Sequence, residues 1–285
     1  KVEEVPTGSF VPVVMRSDQP PFDNPKVRKA LKLTLDRDAV VKTILGGHGA
    51  VGNDQSLPPN NPFYNAAVTP PKRDIAAAKK LLAEAGHPNG LKLTLYTSDA
   101  RVGMLPIALL TQQMAKEAGF DISIQNTPWD VFLNTVWEKR PFYVNNWFAR
   151  PTTDTSIMPF FVSRDKGGSL NDYYYANPEV DRLLLAAQGE LNAAKRKELY
   201  NQAQKLIAED GPAIIAFFKN NITAYHTRVN GYSADPGINL PVDRVSVLEE
   251  HERRKRHHAE RRGRLRITTF GDGLPLLLRI FLAAG

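Results

Sequence analysis

The chain offers few groups suited to covalent chemistry. It has no cysteine, which excludes a thiol nucleophile, a disulfide and any Cys-ligated zinc or iron–sulfur site. Neither a G-x-S-x-G elbow nor an H-E-x-x-H pair occurs. Three of the six histidines (251, 257, 258) fall near the C-terminus, and the others stand apart at His48, His87 and His226. His87 reads as a solvated residue of the turn Gly86-His-Pro-Asn-Gly90. Carboxylates such as Asp99 and Asp154 are scattered, with no signal that pairs them. Gly47-His-Gly-Ala-Val-Gly52 matches G-x-G-x-x-G, but a pyrophosphate needs a strand before the motif and a helix N-terminus after it. Here a helical pattern precedes and a proline-rich stretch follows, so a flexible turn is expected. The reading has no catalytic residue, no metal site and no cofactor.

Groups suited to holding a molecule are better placed. Asn145-Asn-Trp-Phe-Ala-Arg-Pro-Thr-Thr-Asp154 puts Trp147 and Arg150 where a predicted strand runs out, and ligands of open α/β sheets sit outside strand carboxyl ends. An indole supplies a flat apolar wall, and a guanidinium a fixed five-donor fork that matches a carboxylate. A surface salt bridge from Arg150 to Asp154 fits the same residues. Arg101 follows the strand predicted at 91–96 in the same manner. Tyr173, in Tyr173-Tyr-Tyr175, fits either the lining of a cleft or the core. The candidate ligand-binding set is Arg101, Trp147, Arg150, Asp154 and Tyr173.

These residues need elements to position them. Phe10 to Met15 is apolar and β-branched and reads as a strand. Asn24 followed by Pro25 is a helix start, because Pro lacks the N–H that would go unpaired there. Val27, Ala30, Leu31 and Thr34 recur at helical spacing. Asp36 caps a second helix, with Val40, Val41, Ile44 and Leu45 inward, that Gly46-Gly47 ends. A long irregular stretch runs from His48 to Pro71. Then helices predicted from Ile75, Leu105 and Trp129 alternate with strands at Leu91, Phe120 and Phe142, the pattern of a sheet covered by helices. Asn177-Pro178 and Asn192 open two more helices. Ala213 to Phe218 and Ile222 to His226 read as closing strands.

Composition sets outer limits. The 285 residues, 42% apolar and 24% charged, describe a folded globular chain rather than a disordered or multi-span membrane one. The net charge of +7 is concentrated. From His251 to Gly285 there are nine Lys/Arg and three acids, which leaves 28 bases and 27 acids in the rest. The body is electrically balanced, so it gives no footprint for a polyanion. The tail is expected to be a solvated, disordered appendage, from a frame change or a fusion. Competing readings make it a nucleic-acid patch or a membrane-surface helix. Its apolar run, Leu274 to Ala284, is broken by Pro275 and Arg279 and falls short of the roughly 20 residues that span a bilayer. The start, Lys1-Val-Glu-Glu-Val-Pro, carries no basic-then-apolar signal peptide.

Several segments together resemble one family. Pro21-Phe-Asp-Asn-Pro-Lys-Val-Arg-Lys-Ala-Leu with Leu35-Asp-Arg-Asp-Ala-Val, then Asp74-Ile-Ala-Ala-Ala-Lys-Lys-Leu-Leu-Ala-Glu-Ala-Gly, then Asn177-Pro-Glu-Val-Asp-Arg-Leu-Leu with Arg196-Lys-Glu-Leu-Tyr-Asn-Gln-Ala-Gln, are similar to motifs of the extracytoplasmic solute-binding proteins of ABC importers, family 5. That group takes dipeptides, oligopeptides, nickel complexes and related solutes. The likeness runs from about Phe10 to Val247, in motif order.

The resemblance implies an α/β fold, a periplasmic-binding-protein-like type II lobe with a mixed sheet and helices on both faces. It implies a second half: a strand or linker from the first lobe at 1–20, the C-terminal lobe at 21–211, return strands at 212–250 and the tail at 251–285. The expected function is reversible capture of a peptide-like or other small polar solute, without chemistry, by a periplasmic or extracytoplasmic component that docks on permease subunits. A monomer with no nucleic-acid partner is expected. Peptide-binding members carry Trp-x-x-Asp where this chain has Trp147 and Arg150, and the Asp takes the peptide's ammonium. A guanidinium cannot, so Arg150, with Arg101 near the family's carboxylate-binding Arg, implies a solute with an anionic or carbonyl-rich group. The rival from another class is an α/β hydrolase or transferase, which would need a paired nucleophile and base.

Overall fold

A computed structural model describes residues 1–237 and 244–247. The expected tail at 251–285 lies outside the described residues. The chain divides into two compact units: a large one from Glu4 to Asn221, and a small one that gathers Lys1–Glu3, Ile222–Ala234 and the strand at 246–247.

Strands β1 (Val2–Phe10) and β2 (Val13–Met15) occupy the start, broken at Val11-Pro12. Helix α1 (Pro25–Lys32) begins where Asn24 accepts from the Lys26 N–H, and α2 (Arg37–Leu45) where Asp36 accepts from Ala39. Each cap satisfies one of the donors that a first turn leaves free. Gly46, at φ 60°, ends α2 in the left-handed region. Strand β3 (Gly49–Val51) follows, then the irregular stretch, then α3 (Ile75–Glu84), β4 (Leu91–Thr97), α4 (Met104–Ala115), β5 (Phe120–Asn126), α5 (Trp129–Thr135) and β6 (Phe142–Val144). Helices α6 (Thr153–Phe161), α7 (Pro178–Gly189) and α8 (Ala193–Asp210) precede β7 (Ala213–Ile214) and β8 (Phe217–Ala224). Strands β9 (Val229–Asn230) and β10 (Ser246–Val247) pair antiparallel in the small unit.

The main sheet has the order β5-β4-β6-β2-β7. Strand β4 runs parallel to β5 and β6, whereas β2 is antiparallel to β6 and β7. It is the mixed sheet of the expected α/β lobe. Val13, Val14 and Met15 pair with Val144, Tyr143 and Phe142, and all six are buried. Central strands covered on both faces have no polar side to show, hence these unbroken apolar runs. Each such side chain contributes roughly 1.5–3 kcal/mol through burial. Helix α4 packs on β4, β5 and β6, while α1 packs against α3 and α8, and α8 against α7. A three-stranded sheet has the order β1-β8-β3.

Three expectations need correction. Only Gly47 of the G-x-G-x-x-G segment lies in a turn, and Gly49–Val51 form strand β3. The Gly52 N–H donates to the Ala216 carbonyl at 2.9 Å, and a Cβ there would sit 2.1 Å from the Ile215 carbonyl oxygen. Glycine is required here because two backbones meet. The stretch after the predicted strand at 142, for which no helix is expected before Asn177, turns into α6 at Thr153, started by a reciprocal hydrogen-bonded box between Thr152 and Thr155. The closing strands also fall elsewhere: β7 ends at Ile214 and β8 runs unbroken from Phe217.

Candidate functional site

The parallel strands β4, β5 and β6 run out toward one edge of the sheet, and their following residues assemble there. Beyond β4 comes Ser98-Asp99-Ala100-Arg101, and beyond β5 Thr127-Pro128-Trp129. The Arg101 guanidinium lies 5.0 Å from the Trp129 ring centroid, a cation–π arrangement. The Thr127 N–H donates to the Thr97 carbonyl at 3.0 Å, tying the two strand ends together.

Beyond β6 come Asn145, Asn146 and Trp147. Phe10 and Trp147 exchange backbone hydrogen bonds at 3.0 and 2.9 Å, which holds the indole backbone against the end of β1. The ring is 8% exposed and packs edge-on against Trp137 and Phe160. Its Nε1 is buried without a hydrogen-bond partner among the described residues. Most of the ring is core, and only a sliver can serve as a wall.

Asn146 bears the contact that sequence reasoning missed. Its Oδ1 accepts from Lys219 Nζ at 2.7 Å, and the Lys219 carbonyl accepts from Thr7 Oγ1 at 2.6 Å. Burial, and then the charge of Arg101, push the Lys219 ammonium down to about 8. Among the described residues, none of Arg101, Arg150 and Lys219 forms an ion pair. Lys219 stayed hidden because it fell between two predicted strands. The signal that could have found it is a lone cation directly after the apolar run Ala213–Phe218.

Asn145 reaches the opposite way. Its Nδ2 donates to Asp172 Oδ2 at 2.8 Å, beside the Trp137 indole at 3.2 Å. Asp172 is fully buried, and its other oxygen has no partner among the described residues. Burial pushes its carboxyl up to about 7, against the hydrogen bonds from Asn145 and Trp137 that favour the anion.

Arg150 is exposed, in the segment that leads into α6. Asp154 does not pair with it. The Asp154 carboxylate meets Arg196 at 2.8 Å and accepts from the Tyr200 hydroxyl, both on α8. Tyr173 is fully buried, stacked on Phe161 with ring centroids 5.5 Å apart. The strand ends thus bring together Arg101, Asn146, Trp147 and Lys219, while Asp154 and Tyr173 face other partners. Among the described residues, no group of three or more His, Asp or Glu could hold a metal ion, and no helix is long and apolar enough to cross a membrane.

Comparison with known proteins gives a consistent picture. Residues 1–169 match the model of the bacterial extracellular solute-binding proteins, family 5 (middle). The chain is 29% identical over 247 residues to a glutathione-binding protein, GsiB, of Pectobacterium atrosepticum, covering 83% of this chain and 47% of that protein. Among solved structures, a putative peptide-binding protein, AppA, of Clostridium difficile aligns with a TM-score of 0.75 and 25% identity, over 87% of this chain and 52% of the other. The periplasmic binding protein DppA of Helicobacter pylori, in complex with the peptide STSA, aligns with a TM-score of 0.76 and 22% identity, over 87% and 49%. At that identity the likeness shows the fold alone. The chain spans about half the length of the curated relatives it matches.

Proposed function

The chain belongs to the bacterial extracellular solute-binding proteins of family 5, and we propose that it forms one wall of a cleft that captures a small anionic, peptide-like solute for an ABC importer. Residues 21–211 would be the C-terminal lobe and 212–250 the return toward a first lobe. The protein would act as a monomer outside the cytoplasm, hand its solute to permease subunits, bind no nucleic acid and change no covalent bond.

One observation carries the reading: cations without counter-ions among the described residues stand at the strand ends. Lys219 is mostly buried, feels the charge of Arg101 and has only the neutral Asn146 as its side-chain partner among the described residues. Withdrawing the Lys219 ammonium from water beside the charge of the exposed Arg101 costs free energy, and an anionic ligand offsets that cost. Arg101 and Arg150 would hold the anion, and Trp147 would close one side with its exposed edge. Asp154 and Tyr173 would serve from behind, by fixing α6 and hence the segment that presents Arg150.

The relative's printed name makes glutathione the first solute to try, and its two free carboxylates suit the cluster. The test is calorimetric titration of the full-length protein with glutathione and with di- and tripeptides, for the parent and for Arg150→Ala. Weakened binding in the variant supports the reading. Unchanged affinity removes Arg150 from it.

A further inference from the structure

A second cation lies buried away from the strand ends. Lys32 closes α1, and its residue is 2% exposed. Its Nζ donates to the Ala208 carbonyl, in the last turn of α8, at 3.1 Å. An ammonium has three protons to place, and among the described residues this is its one hydrogen bond. The carboxylates whose charge reaches it are committed elsewhere. Asp54 pairs with Arg37 at 2.7 Å, and Asp210 with Arg28 at 2.5 Å.

Lys32 lines a cavity of about 430 Å³, within the size range of small-molecule sites. Lys29 and Lys205 line it too, against one acid, Glu209, and Val68 and Pro71 contribute apolar wall. The cavity therefore combines an excess of positive charge, a buried ammonium with free donors and a surface suited to hydrocarbon. Of these three ammoniums only that of Lys32 is buried, Lys29 and Lys205 being exposed, and one desolvated charge beside apolar wall matches a monoanion. A phosphate dianion would set oxygens against the apolar wall of Val68 and Pro71, with no guanidinium fork in the lining to meet them.

We propose that this cavity is a second binding site, separate from the strand-end cluster, for a small carboxylate with an apolar body. The carboxylate accepts from the free Lys32 donors, Lys29 and Lys205 attract it, and the hydrocarbon covers Val68 and Pro71. Burial pushes Lys32 down to about 8, and a bound anion favours its charged form, so occupancy raises that value and affinity falls as pH climbs past it.

The test uses the full chain with hexanoate as the probe, inorganic phosphate as the rival and two readouts. In calorimetry near neutral pH, hexanoate should bind and Lys32→Met should weaken it about tenfold or more, the scale of one charge-assisted hydrogen bond. Lys205→Ala, a surface change that spares the fold, should weaken it a few-fold. In NMR of lysine-labelled parent protein, the Lys32 titration midpoint should rise when hexanoate is added. The proposal is overturned by no binding at millimolar hexanoate, by an unmoved Lys32 midpoint, or by phosphate binding more tightly. It is equally overturned if the folded Lys32→Met variant binds hexanoate as the parent does.

Discussion

The Lys219 ammonium is tied to the side chain of Asn146 at 2.7 Å, across 73 positions of sequence. Asn146 directly precedes Trp147, so this one bond sets a cation beside the end of β6. Replacing Lys219 by Gln keeps a donor for Asn146 but removes the charge. The expected outcome is a roughly tenfold loss of affinity for an anionic solute with little change for a neutral one. Calorimetry on the full-length protein checks it.

Lys219 also predicts a pH profile. Its value is lowered to about 8 from 10.5, so the charge is present below about 8 and lost above it. Affinity for an anion should fall as pH rises through that value, and Lys219→Gln should flatten the fall. For stability the sign is opposite. The unfolded chain holds the proton up to about 10.5 and the folded one releases it near 8, so folding gains as pH rises between them. Chemical denaturation across that window measures the second effect without any ligand.

Asp172 gives the reverse slope. Its folded value is raised to about 7 from 3.8, so the folded chain binds the proton more tightly and stability declines as pH rises between them. Asp172→Asn keeps an acceptor for Asn145 and Trp137 and removes the buried charge. Urea unfolding should show the variant more stable above neutral pH, by roughly 2–4 kcal/mol from the size of the shift, with a flatter profile.

The Arg37–Asp54 ion pair is fully buried, its side chains 2% and 0% exposed. Asp54 adopts φ 64° and also accepts from the Ile215 N–H at 3.0 Å. Asp54→Ala would strand the Arg37 charge, orphan an amide and strain the backbone. A loss of about 3–5 kcal/mol is expected in denaturant melts. Asp54→Asn, which tolerates the left-handed region and retains an acceptor, should cost less.

Two glycines of one motif should respond differently. Gly52→Ala puts a methyl 2.1 Å from the Ile215 oxygen and must push the chain just after β3 away from the link between β7 and β8. Gly47 has open space around its Cβ position and only a φ of +91° to protect. Thermal melts should show a loss of about 2 kcal/mol or more for Gly52→Ala, from backbone displacement. Gly47→Ala should show a loss of about 1 kcal/mol.

What the sequence disclosed depended on how locally each feature is determined. The caps at Asn24, Asp36, Asn177 and Asn192 were legible because a cap and the amide it satisfies lie within three residues. Helix α6 was obscured by its own composition, with threonines at the start and Pro159 inside. Strand β3 was obscured because its partner, β8, comes much later in the chain. At the candidate site, Arg101 and Trp147 were visible as strand-end residues. The division of labour was not, since the burial of Tyr173 and the pairing of Asp154 with α8 are settled by tertiary packing.

The most direct test compares glutathione with its carboxyl ethyl esters in calorimetric titrations of the full-length protein, with and without the Arg150→Ala and Lys219→Gln changes. The free acids should bind, the esters should bind at least about tenfold more weakly, and the variants should narrow that gap. If any peptide or its ester binds equally well to parent and variants alike, the cluster at the strand ends is not where an anion is held.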